Sequence, residues 1–250
     1  MAENTINETP KKVSVSEKTH AKNAENLHIA NTIIESVGNI YNPTNTTLLA
    51  LNKMTAFEDG INQRMQTVNE KEVAEDNAVD VQIAEFKKVK PRVRMIVKAA
   101  KGQSLDKDFI DRLQASVYRL YGTRIGKKTP DEMQNSNSVS RQSYAGILET
   151  LDETDELIKS NPAYAPNETE NQTAAVTAWV NDLRTIHNNA LATKTDTRAA
   201  RNDRDEFAYN STNGLKVRMD ALKNYLETIL DPSDPRLKQL KKLKFAYYSR

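Results

Sequence analysis

Glu25-Asn26-Leu27-His28 is the first combination in this 250-residue chain with the types and spacing for chemistry. A glutamate and a histidine three residues apart share a helix face, and di-iron helical bundles use two such motifs plus two further glutamates. The second candidate, Arg184-Thr185-Ile186-His187, places a cation where a carboxylate ligand is required. The third histidine, His20, has only Glu17 three residues before it, in the first turn of a helix. The sequence therefore predicts no metal site and no cofactor, with His187 half-buried or at the surface.

Phosphate and nucleophile chemistry is offered by weaker patterns. Gly122-Thr123-Arg124-Ile125-Gly126-Lys127-Lys128-Thr129 approaches a phosphate-binding loop. It has three residues between its glycines instead of four, an extra lysine before the threonine, and a helix rather than a strand before it. It reads as a basic linker. Ser104-Leu105-Asp106-Lys107 has a Ser-x-x-Lys spacing, but Ser104 opens a short helix and is expected to cap it. Asp152, Glu153, Asp155 and Glu156 are expected to form a solvated helix face. No catalytic residue is assigned, and the chain is read as non-enzymatic.

Two basic clusters remain. Lys87, Lys88, Lys90, Arg92, Arg94, Lys98 and Lys101 occur with no acid between Glu85 and Asp106. Arg236, Lys238, Lys241, Lys242 and Lys244 follow Asp234 with no further acid. Cations near helix C-termini are favoured by the dipole by about 0.3–1 kcal/mol each, which explains both clusters structurally. The functional alternative is contact with phosphates, with tyrosines stacking on bases. Trp179, Tyr247 and Tyr248 are the aromatic residues expected at a protein interface.

The elements that must position these residues are helical. Hydrophobic residues make up 38% of the chain, which suits narrow seams between amphipathic helices better than a broad core. Seven glycines and eight prolines are too few for the turns of an all-β domain. The absence of cysteine excludes disulfides, thiolate metal sites and cysteine nucleophiles. No run approaches the roughly 18 apolar residues of a membrane span, no secretory signal opens the chain, and a net charge of +2 is close to balance. A cytoplasmic protein with no integral membrane segment is expected.

The chain also echoes itself. Val93-Arg94-Met95 returns as Val217-Arg218-Met219, Tyr41-Asn42-Pro43 as Tyr164-Ala165-Pro166, and Glu85-Phe86 as Glu206-Phe207, each about 121–124 positions later. A fixed long period is the mark of an internal repeat. The expected fold is all-α: an elongated antiparallel bundle of two long helices and several shorter ones, built by internal duplication. Residues 1–13 form a disordered tail, 14–121 the first repeat, 122–137 a basic linker and 138–250 the second repeat, both packed as one domain.

Helices are expected from Ser14 or Ser16 to Val37, from about Thr44 to beyond Val97 with a kink or break at Pro91, and from Ser104 to Leu120. The second repeat follows with helices over Ser138–Lys159, Glu168–Leu230 and Arg236–Phe245. The apolar stripe fades at Glu70–Asp76 and Lys194–Asp205, which predicts poorly buried or solvent-bridging segments. The functional expectation is a structural or interaction protein whose partners are other proteins or further copies of itself. Nucleic-acid association through the basic clusters is the alternative, and membrane action by the helical bundle a lesser one.

Overall fold

Stretches free of Gly and Pro, with apolar residues every three or four positions, satisfy their backbone donors and acceptors locally and bury one stripe. The computed structural model describes residues 15–122 and 142–246, and these are all-α with no strand. The expected tail, nearly all of the linker, Tyr247 and Tyr248 lie outside the described residues.

Helix α1 spans Val15–Val37. Gly38, at φ 66°, leads the chain out of it into a 3-10 turn, Gly38–Ile40. A short helix, α2 (Thr46–Leu49), begins where the Asn45 side chain accepts from the Leu48 amide. Ala50 is extended, so α3 (Leu51–Lys87) starts later than the pattern suggested. Pro91 has no amide to bond the Lys87 carbonyl, and the helix breaks at Lys88 before resuming as α4 (Val89–Gly102). Together α3 and α4 make a bent helix of 52 residues.

Helix α5 (Lys107–Tyr121) is capped by Asp106, whose carboxylate accepts from the amides of Asp108 and Phe109. Ser104 is not the cap: it sits at φ 53°, in the turn between α4 and α5. Gly122, at φ 65°, ends α5 as the sequence predicts. Helix α6 (Tyr144–Lys159) starts at a Ser143 cap, and a 3-10 turn, Thr169–Asn171, precedes α7 (Thr173–Tyr209).

The single helix expected over Glu168–Leu230 is two. After α7 the Asn210 side chain accepts from the amides of Thr212 and Asn213, and the Gly214 amide donates to the Asn210 carbonyl at 2.9 Å. This turn leads into α8 (Leu215–Ile229). Asp234 caps the last helix, α9 (Pro235–Lys242), with its carboxylate accepting from the Arg236 amide.

The chain forms two compact units, and they are not its two halves. Residues 1–71 and 197–250 make one, residues 72–196 the other. The first core draws on α1, the start of α3, the end of α7, α8 and α9, with Leu27, Met54, Leu215, Met219, Leu222 and Leu240 fully buried. The second draws on the end of α3, α4, α5, α6 and the start of α7, with Ile96, Leu113, Leu120, Leu151, Ile158 and Leu183 among its buried residues. Each boundary falls where an apolar stripe fades. These stretches are not wholly exposed: Thr197 is buried and donates to the Lys71 carbonyl, and Arg204, also buried, pairs with Asp205 at 2.9 Å.

Each unit therefore has the same parts. A shorter helix and the start of one long helix meet the end of the other long helix and the two helices after it. The long helices are both 37 residues, and those following them are 14 and 15.

The turn at Gly214 gives the first prediction. A Cβ there would lie 2.4 Å from the Asn210 carbonyl oxygen and 2.6 Å from its nitrogen, backbone atoms that cannot swing aside. Gly214→Ala should lower the urea midpoint by an amount equivalent to about 1–3 kcal/mol, although alanine is the better helix former.

Candidate functional site

The two Tyr-x-Pro segments do the same work in the two units. Tyr164 is buried, and its hydroxyl donates to the Asn171 carbonyl at 2.9 Å, closing the loop that leads into α7. Tyr41 donates to the Leu49 carbonyl at 2.6 Å, closing the loop into α3. Pro43 and Pro166 are both buried behind them. Burial, with the negative groups nearby, pushes the Tyr164 phenol up to about 12 and the Tyr41 phenol up as well.

One residue before each accepting carbonyl lies another, taken by an arginine. In the second unit Arg92 of α4 donates to the Glu170 carbonyl at 3.0 Å, and its guanidinium lies 4.5 Å from the centre of the Trp179 ring in α7. In the first unit Arg218 of α8 donates to the Leu48 carbonyl at 2.6 Å and lies 4.4 Å over the Phe57 ring of α3. Arg218 also donates to the Asn213 carbonyl at 2.8 Å, holding the turn before its own helix. Burial lowers the pKa of both arginines, and Glu170 partly offsets this for Arg92.

The arginines that correspond are thus Arg92 and Arg218, not those of the repeated tripeptide. Arg94 and Met95 are exposed, whereas Arg218 and Met219 are buried. The identical letters Val-Arg-Met fall two positions out of structural register. Arg92, expected as a phosphate contact, and Trp179, expected at an interface, are half-buried and meet each other.

The other cations of the first cluster remain at the surface. Lys88 pairs with Glu85 at 2.5 Å. Lys90 and Arg94 lie 4.9 and 4.2 Å from the Tyr121 ring centre, and Lys101 donates to Gln114 at 3.0 Å. Among the described residues Lys87, Lys90, Arg94, Lys98 and Lys101 have no carboxylate within ion-pair distance. The C-terminal cluster is more engaged. Arg236 pairs with Asp234 at 2.7 Å and donates to the Ser36 carbonyl, and Lys241 pairs with Glu227 at 2.7 Å. Lys238, Lys242 and Lys244 are exposed.

The catalytic-looking motifs disperse. Glu25 pairs with Lys22 at 2.8 Å, while His28 turns to Glu58 at 2.7 Å. No group of three or more metal-ligating side chains occurs among the described residues. His187 is half-buried, bonded to Gln82 at 2.6 Å and set beside Phe86 and Tyr144. Asp152 and Glu153 pair with Arg184 and Arg119. Asp155, expected on a solvated face, is buried; it accepts from Thr177 at 2.7 Å and pairs with Lys159 at 2.6 Å.

Sequence reasoning missed a buried polar set in the first unit. The His20 ring shares a 2.7 Å hydrogen bond with the Tyr209 hydroxyl. Asn23 and Asn26 donate at 2.7 Å to the carbonyls of Ala246 and Lys244, and the Ala246 amide returns a bond to Asn23. The segment after α9 is thereby strapped onto α1. Asparagines at i and i+3 inside an apolar stripe were the available signal.

A cavity of about 470 Å³ in the first unit is lined by Phe57, Arg64, Asp203, Phe207, Asn213 and Arg218. Its charges are matched internally, with Arg64 3.0 Å from Asp203 and stacked 3.9 Å over Phe207. No helix among the described residues is long and apolar enough to cross a membrane. No family model, curated protein or solved structure matches the chain.

Two predictions follow the paired loops. Arg218 is buried and holds two carbonyls, whereas Arg92 is half-buried and holds one. Hydrogen bonds to charged groups contribute about 1.5–3 kcal/mol each, so Arg218→Met should cost more stability than Arg92→Met in matched urea titrations. Tyr164 titrates near 12 when folded and near about 10 when unfolded. Above about pH 10 the unfolded chain holds fewer protons, so this residue's contribution to stability falls as pH rises through 12. Tyr164→Phe should be less stable at neutral pH and should decline less steeply over that interval.

Proposed function

We propose that the chain is a non-enzymatic structural or interaction protein, built by doubling one helical unit and acting through exposed helix faces. The doubling is supported by the paired loops and arginines, which repeat a tyrosine, a proline, an aromatic ring and two carbonyls in corresponding places. The interaction reading rests on one observation about the second unit. It leaves Val73, Val81 and Ile83 of α3, Met95 of α4 and Leu191 of α7 exposed, at 60, 51, 36, 51 and 52%.

Large apolar side chains scattered singly on a surface need no explanation. Val73, Val81 and Leu191, however, belong to the two long helices and are each more than half exposed. Self-association would cover them at little entropic cost, because helix has already fixed their backbone.

Size-exclusion chromatography with light scattering tests this. The apparent mass of nuclease-treated protein should rise with concentration above 28.2 kDa. The double variant Val81→Lys, Leu191→Lys should hold the mass nearer one chain. A mass constant at the single-chain value across the range would remove self-association.

A further inference from the structure

We propose that the outer face of α4 binds the phosphodiester backbone of a single nucleic-acid strand through Lys90, Arg94, Lys98 and Lys101. This rests on the interaction reading and names one partner class for it. Spacings of four, four and three residues put these side chains on one face of the helix. At about 1.5 Å per residue the cations form a row along one side of the helix, in steps of about 6, 6 and 4.5 Å. Tyr121 lies at one end of the row, beneath Lys90 and Arg94.

Two observations separate this row from ordinary surface charge. The first is position. A helix C-terminus favours cations, and that accounts for Lys98 and Lys101. Lys90 stands in the first turn of α4 and Arg94 in its middle, where the dipole offers a cation nothing.

The second is an internal comparison. Aligning Arg92 with Arg218 matches Lys90, Arg94, Lys98 and Lys101 with Lys216, Asp220, Asn224 and Glu227 of α8. There Lys216 pairs with Asp220 at 2.5 Å, and Glu227 with Lys241 at 2.7 Å. The equivalent face of the other unit is thus balanced and internally paired. The fold does not need the charge on α4, which contains no acidic residue at all.

A strand fits this row better than an acidic protein does. Phosphates repeated along a strand suit cations repeated along a helix, and the Tyr121 ring holds Lys90 and Arg94 at one end of the row. Strand binding by counterion release has a quantitative signature, a slope near −0.7 per phosphate contacted. Four contacts predict that affinity falls about 50-fold as salt rises from about 50 to about 200 mM.

The full chain should be titrated against a fluorescein-labelled oligodeoxythymidylate by anisotropy, at several salt concentrations. Arg94→Gln, Lys98→Gln, Lys101→Gln is compared with the charge-matched triple Lys238→Gln, Lys242→Gln, Lys244→Gln; all six side chains are exposed, and circular dichroism checks both folds. The α4 triple should bind at least about ten-fold more weakly with a flatter salt slope, and the C-terminal triple should behave as the parent. Equal loss in both triples would reduce the effect to net charge and overturn the proposal. So would absence of binding to the strand. Polyglutamate bound in place of the strand would assign the row to an acidic protein, overturning the nucleic-acid partner while leaving the interaction reading standing. Self-association is tested separately, by light scattering.

Discussion

A guanidinium drawn out of water, wholly at Arg218 and halfway at Arg92, is the constraint on which each unit is organised. Arg92 and Arg218 each leave water in the company of a ring and a backbone carbonyl, and burial depresses the pKa of both. An arginine so placed stays charged, so its partners cannot drift without leaving an uncompensated charge in the interior. The carbonyl comes from the loop before one long helix, and the ring from that helix's first two turns. The arginine comes from the helix that follows the other long helix. Fixing these three points sets where α4 lies against the start of α7, and where α8 lies against the start of α3. The tyrosine of each loop then takes the next carbonyl along. Little freedom is left in either loop.

Both long helices end in a break. After α3 and after α7 the chain must change direction, and the following helix must bury its stripe. Pro91 does this in one place by removing an amide, and the Asn210–Gly214 turn in the other by side-chain bonding and a close backbone approach. The chemistry differs and the outcome is alike: a helix of about four turns carrying an inward arginine near its start.

Legibility in the sequence divides along the same lines. Periodicity reports burial, so α1 and α5 and the fading of both long stripes could be read directly. The fading marks the limits of two hydrophobic cores, although Thr197 and Arg204 show that a polar stretch can still be buried. The Asn210–Gly214 break was hidden because apolar spacing resumes at Leu215 nearly in phase with Phe207. Its Asn-Ser-Thr-Asn-Gly composition was a turn signal outweighed by the stripe. The Val-Arg-Met echo misled for a related reason. Identical letters say nothing about which face they occupy, and only burial shows that Arg92, not Arg94, answers Arg218. Asp155 was misplaced because its partner Thr177 is remote in sequence, and the contact of Trp179 with Arg92 was hidden for the same reason.

Where two units share their interior constraints, the differences between them are informative. The buried positions of α4 and α8 correspond: Val93 with Met219, Ile96 with Leu222 and Ala100 with Leu226 are all wholly buried. Packing density holds such positions to apolar residues of compatible volume. Outward positions feel no such restraint, and there the two helices part. On α8 Lys216 pairs with Asp220 and Glu227 with Lys241, and the segment after α9 is strapped to α1 by Asn23 and Asn26. On α4 the cations of the row stand together with no carboxylate at ion-pair distance among the described residues, whereas α8 carries Asp220 at the position of Arg94. Like charges at i and i+4 destabilise an isolated helix slightly, and nothing in the packing of α4 requires them. That unrelieved repulsion, which the packing does not account for, is the observation on which the proposed strand contact rests.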